Sequence, residues 1–131
     1  MAVADANGLP NAVGIACGQR DEAPLARATL DACFLDELPA RLIGDRAYDS
    51  NKLDEELAEL GVDMIAPHHP TRTHKTQDGR KLRRYRRRWK VERLFAWLLA
   101  FRRLVTRYER KAENFLGLLH LGCMSILLRR V

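Results

Sequence analysis

The residues able to do chemistry crowd between Arg80 and Lys90. Arg80-Lys81-Leu82-Arg83-Arg84-Tyr85-Arg86-Arg87-Arg88-Trp89-Lys90 sets eight cations in eleven positions, with Arg72, Lys75 and Arg93 flanking them. Guanidinium forks grip phosphate oxygens in pairs, so a segment this dense in arginine suits DNA, held through counterion release and weakened steeply by salt. Tyr85 and Trp89 add faces on which exposed bases could stack. The same pattern also describes a solvated basic face whose two aromatics turn into the core.

One acid, Glu92, stands among these cations. On a helix, Tyr85, Arg88 and Glu92 share one face within about 60°, the face where Trp89 and Phe95 are expected to turn inward. Glu92 then has two readings: an ion-pair partner of Arg88 at i,i+4, or a metal ligand backed by arginine. Asp45, in Gly44-Asp45-Arg46-Ala47-Tyr48-Asp49-Ser50, invites the same comparison. It follows a short apolar run and so sits at the carboxyl end of a strand, where open α/β sheets collect binding groups. It also suits a turn or a cap. Asp49 and Ser50 are the better candidates for capping the next helix. His68, His69 and His74 do not point to zinc, because no cysteine lies at ligand spacing and adjacent histidines seldom share one tetrahedral ion.

These residues need a scaffold. Ala2–Ala6 and Ala12–Cys17 flank Asn7-Gly8, the dipeptide most typical of a hairpin turn, and should pair antiparallel. Asp21–Phe34 carries apolar residues near helical spacing, with Pro24 in its first turn. Strands are expected at Arg41–Gly44 and Val62–Ala66, joined by a helix from about Ser50 to Leu60 that stops at Gly61. Strands alternating with helices imply parallel pairing and crossover connections, so the first two-thirds reads as α/β. A polar loop follows over 67–79, expected to be mobile without ligand. Two long helices, Lys81 to about Tyr108 and Ala112–Leu128, close the chain.

Bulk properties narrow the partner. The 131 residues, 47% hydrophobic and 31% charged, suit one globular domain with a single core. Charge divides sharply: residues 1–71 carry a net −8 and residues 72–131 a net +14. The basic half suits a polyanion, and the acidic half suits cations or helix surfaces. Cys17, Cys33 and Cys123 are too few and too scattered for a disulfide framework. Phe115–Leu128 is short of the roughly 20 residues that span a bilayer, so it reads as a buried helix. No secretory pattern opens the chain, and a cytoplasmic location without membrane contact is expected.

The motif at Gly44–Ser50, followed by Tyr85-x-x-Arg88-x-x-x-Glu92 on a basic helix, resembles the second and third acidic motifs of the DDE insertion-sequence transposases. The resemblance extends from Ala2–Pro10 to the closing helix. It implies an incomplete ribonuclease-H-like fold: an antiparallel hairpin plus two parallel strands with crossover helices (residues 1–66), the loop (67–79), then the basic and closing helices (80–131). It implies three carboxylates holding two Mg²⁺ or Mn²⁺ ions for in-line attack on a DNA phosphodiester, with Asp45 and Glu92 as the second and third acids. Tyr85 and Arg88 would position DNA or orient Glu92, and Arg83, Arg84, Arg86, Arg87 and Lys90 would hold the double-stranded terminal repeats of the element. The implied setting is prokaryotic and nucleoid-associated, with a homo-oligomeric protein.

Two departures from the family pattern matter. The lysine expected seven residues after the glutamate is Leu99, for which Arg102 and Arg103 are the candidates to compensate. The family's first aspartate belongs to a strand ahead of the hairpin, and the resemblance implies that this chain begins after it. Asp5 precedes the Asn7-Gly8 turn and is expected to be a turn residue instead. Without that central strand, main-chain groups on its two neighbours stay unpaired unless the sheet closes up or a second chain supplies the strand and its acid. The chain alone is then expected to cleave DNA weakly or not at all. The rival reading is a non-catalytic nucleic-acid-binding or inhibitory subunit that joins an intact transposase, and a third is a structural protein whose basic helix meets an acidic partner.

Overall fold

A computed structural model describes residues 1–18, 22–73 and 79–130. His74, Lys75, the remainder of the 67–79 loop up to Asp78 and the expected helix start at Asp21 lie outside the described residues. The chain runs β1 (Ala2–Ala4), β2 (Pro10–Val13), α1 (Glu22–Asp31), β3 (Arg41–Ile43), α2 (Asn51–Glu59), β4 (Asp63–Ile65), α3 (Gly79–Leu82), a 3₁₀ segment (Arg83–Arg88), α4 (Trp89–Leu99), α5 (Arg102–Val105) and α6 (Ala112–Leu128).

The Asn7-Gly8 turn forms as its sequence predicts. Gly8 takes a φ of 79° that a side chain would resist. The Asp5 carboxylate accepts from the Asn7 and Leu9 amides, which fixes Asp5 as the turn residue expected. β1 and β2 pair antiparallel, with a register shift between Val3 and Ala4. Because successive strand residues face opposite ways, the hairpin serves two cores. Val3 and Ala12 face Ala26 and Leu30 of α1, Leu53 and Leu57 of α2, and Val62 just ahead of β4. Val13 faces Leu94, Leu98, Leu104, Cys123 and Ile126 from the C-terminal helices. The hairpin is therefore the layer that ties the acidic half to the basic half.

β3 and β4 pair parallel, Leu42 opposite Met64, as expected from the intervening helix. That helix, α2, is capped by the Ser50 hydroxyl accepting from the Leu53 amide. Among the described residues the strands form two separate two-stranded sheets, β1-β2 and β3-β4. Within that described set, β1 has a partner only in β2, and β3 only in β4.

The C-terminal half departs from expectation in two respects. The continuous helix predicted from Lys81 to Tyr108 is broken: it is 3₁₀ through Arg83–Arg88, α-helical through Trp89–Leu99, and interrupted again before α5. Three residues per 3₁₀ turn put Leu82, Tyr85 and Arg88 on the inward side, each partly buried, while Arg83, Arg84, Arg86 and Arg87 stay exposed. Trp89 and Phe95, expected to turn inward, are exposed; Leu94 and Leu98 carry the core contact of α4. No helix among the described residues is long and apolar enough to cross a membrane.

Candidate functional site

Among the described residues β1 and β3 each have one strand partner, and both line an open cleft of about 880 Å³. Met1–Ala6 form one wall and Arg41–Asp45 the other; Val91, Glu92 and Phe95 line it from α4, and Arg84, Arg87, Arg88 and Lys90 bring cations to it.

Asp45 sits two residues beyond β3 and accepts from the Ala47 amide, capping a single 3₁₀ turn at Arg46–Tyr48. It is thus a cap, and its second oxygen remains turned toward the basic segment. Gly44 beside it is required by close approach. A Cβ there would lie 2.5 Å from the Met64 side chain and 2.6 Å from the Tyr48 ring, so a side chain at residue 44 would force both to shift beside Asp45.

Arg88 joins the two candidate acids. One of its terminal nitrogens donates to Glu92 Oε1 at 3.0 Å, and the other lies 3.9 Å from Asp45 Oδ2. The guanidinium also lies over the Tyr85 ring, 5.5 Å from its centre. The side chains of Arg88, Asp45 and Glu92 are 39%, 43% and 59% exposed, so all three meet solvent at the mouth of the cleft. Glu92 was expected on a partly buried face and is instead the most open of the three. An exposed i,i+4 pair contributes only about 0.3–0.5 kcal/mol, weak enough for a phosphate or a cation to compete with it.

The donor chemistry, two carboxylates open to water, fits a hard and largely hydrated divalent cation, with Asp45 and Glu92 as its protein oxygens. The described residues hold no group of three His, Cys, Asp or Glu able to cage a metal.

The other expected DNA contacts divide. Arg83 and Arg86 are exposed outside the cleft lining. Lys90 donates to the Ala6 carbonyl, and Arg93 to that of Asn7, so both clasp the hairpin turn. Arg102 and Arg103 begin α5, away from the cleft lining, and Arg103 pairs with Glu109 at 3.2 Å. The structure does not bring them to Asp45 or Glu92.

The chain aligns with the family model of the transposase DDE domain over residues 1–128. The chain belongs to the DDE transposase family. A protein of Burkholderia cepacia, named as a transposase for insertion sequence element IS402, is 38% identical over 88 residues, covering 67% of this chain and 38% of that relative. A protein of Brucella ovis, named as a transposase for insertion sequence element IS6501, is 31% identical over 129 residues, covering 98% of this chain and 95% of that relative. The chain thus spans well under half of the first relative and nearly all of the second. No solved structure matches it.

Two features of this DDE transposase chain were missed in reading its sequence. Arg93 is sandwiched between Trp89 and Trp97, 4.8 Å from each ring centre, and Arg130 lies 4.7 Å from Trp97. The spacing of 89, 93 and 97 carried that signal, one helical turn apart each time. Asp49 is the second. It does not cap α2; its carboxylate accepts from His68 at 2.8 Å, from the His69 amide and from Arg72, which also reaches Asn51. Burial pushes the Asp49 carboxyl up, but the His69 amide, His68 and Arg72 together outweigh it and hold it below the ordinary carboxylate value. This clasp fixes the chain after β4 to the start of α2.

Proposed function

We propose that this chain is a DNA-binding part of a DDE transposase that contributes two of the acids of a divalent-metal phosphodiester-transfer site. The observation that carries the reading is Arg88 reaching both Asp45 and Glu92 at the mouth of one cleft. In this reading Asp45 and Glu92 would hold Mg²⁺ or Mn²⁺, which when bound supplies Lewis-acid activation of the attacking and leaving oxygens. Arg88 keeps the two carboxylates apart from one another and screens their repulsion, with Tyr85 beneath it fixing its plane. Arg83, Arg84, Arg86 and Arg87 hold the DNA backbone along the 3₁₀ segment, and Lys90 contributes charge beside the hairpin turn.

The fold is read as an incomplete ribonuclease-H-like sheet, with the cleft between β1 and β3 taking an extended strand from another chain. The cations Arg84, Arg87, Arg88 and Lys90 around the cleft suit an incoming acid, which would be the third carboxylate. The chain is accordingly expected to act in a nucleoid-associated, prokaryotic complex, on double-stranded terminal repeats, and to cleave poorly alone.

A strand-cleavage assay on terminal-repeat DNA with Mg²⁺ or Mn²⁺ tests this. Little cleavage by the chain alone is expected; robust Glu92-dependent cleavage would contradict incompleteness. The second reading, a non-catalytic or inhibitory subunit joining an intact transposase, is favoured by the exposed Arg88–Glu92 pair, which needs no metal to explain it. Under that reading Asp45→Ala leaves cation response unchanged.

A further inference from the structure

The 3₁₀ turn that carries Asp45 is anchored at both ends on one stretch of chain. At its entrance the Gly44 amide donates to the Ile65 carbonyl of β4 at 3.1 Å. At its exit the Asp49 amide closes the turn on the Arg46 carbonyl at 3.2 Å. The Asp49 carboxylate meanwhile holds the continuation of β4, accepting from His68 at 2.8 Å, from the His69 amide at 2.6 Å and from Arg72. Arg72 passes on to Asn51, the first residue of α2. Asp45–Asp49 therefore bridges two anchors, one on β4 and one on the segment just after it. Within the bridge Asp45 Oδ1 accepts from the Ala47 amide, while Oδ2 is the oxygen 3.9 Å from Arg88.

The anchor at the exit is buried, whereas the acid on the bridge is open. The side chains of Asp49, His68 and Arg72 are 4%, 9% and 18% exposed, against 43% for Asp45. Taking such a cluster out of water returns little net stability, because desolvation offsets most of what the attraction supplies. What several directional bonds to one carboxylate do supply is a fixed orientation. A carboxylate ligand works only when neighbouring groups hold it near its productive place. We propose that Asp49 is a positioning residue for Asp45: by fixing the exit of the turn to His68, His69 and Arg72, it sets where the Asp45 carboxylate stands relative to Glu92. Asp49 does not line the cleft and acts only through the turn. The role rests on the reading of Asp45 and Glu92 as a cation-binding pair.

Two readouts on the whole chain test this role, at a temperature where every variant is folded by circular dichroism. Hydrogen exchange at the Ala47 amide, which donates to Asp45, follows the turn itself. Asp49→Ala should speed it roughly tenfold or more. Mn²⁺ titration read by electron paramagnetic resonance follows the consequence. Asp49→Ala should weaken binding roughly tenfold or more, and Asp49→Asn, which keeps an acceptor for the His69 amide, should weaken it less. Ile126→Ala separates positioning from stability, since it opens a cavity in the C-terminal core, which contains no residue of the turn. It should leave both readouts as in the wild-type chain. Ala47 exchange unchanged in Asp49→Ala, Mn²⁺ bound as tightly by Asp49→Ala as by the wild-type chain, or Ile126→Ala reproducing both losses would each overturn the proposal while the cation pair stands. A wild-type chain that binds no Mn²⁺ would instead overturn the cation pair, and the positioning role with it.

Discussion

Asp49 is the side chain on which the most local structure converges. Only 4% exposed, it holds His68, the His69 amide and Arg72 at once. Asp49→Ala removes the carboxylate that a buried imidazole and a largely buried guanidinium share, and is expected to cost about 1–3 kcal/mol of stability, measurable by urea denaturation. Its folded carboxyl value lies below the ordinary 3.8. That contribution is therefore complete above the unfolded value and fades as pH falls through the folded one, so Asp49→Ala should flatten the acid limb of the stability profile. The thiols provide a separate check. Burial pushes Cys123 up to about 11, whereas Cys17 is exposed. A thiol reagent at neutral pH should label Cys17 rapidly and Cys123 only on unfolding; rapid labelling of Cys123 in the folded chain would contradict its place in the core.

At the scale of elements, the sequence showed the hairpin, both parallel strands, α2 and α6, because alternation, Asn7-Gly8, Ser50 and Gly61 are strong local signals. It did not show the break of the basic helix. Arginine is a good helix former, so nothing local forbids a helix through 83–88. What departs is the spacing of the residues that pack, Leu82, Tyr85 and Arg88 at intervals of three, a 3₁₀ period that an expectation of 3.6 absorbs without notice. Gly44→Ala tests how tightly the next element is delivered. Its Cβ would meet Met64 and Tyr48 well inside contact distance, so Asp45 should be displaced and stability lowered by about 1–3 kcal/mol. The core is more forgiving to read: Leu57, fully buried between α1, α2 and β1, should cost about 2–5 kcal/mol when cut to Ala.

For the whole molecule, the partition of charge pointed to a polyanion partner for the basic half, and the family resemblance rather than the charge put Asp45 and Glu92 at one site; the structure brings both within reach of Arg88. What pattern alone could not foresee was that the two halves meet through the hairpin, whose alternating residues belong to different cores, and that Arg88 stands between the two acids. Such long-range placement depends on packing among elements and leaves no mark in local spacing. DNA binding should follow the exposed arginines: replacing Arg84 and Arg87 by Ala should lower the salt slope of duplex affinity by about two, near 0.9 for each phosphate no longer neutralised. The central claim, that Asp45 and Glu92 form one cation-binding pair, is tested most directly by titrating Mn²⁺ into the chain and reading bound metal by electron paramagnetic resonance. The account predicts weak binding that either Asp45→Ala or Glu92→Ala abolishes, each as completely as both together. Binding unchanged in the double variant, or no binding to the wild-type chain at millimolar Mn²⁺, would contradict it.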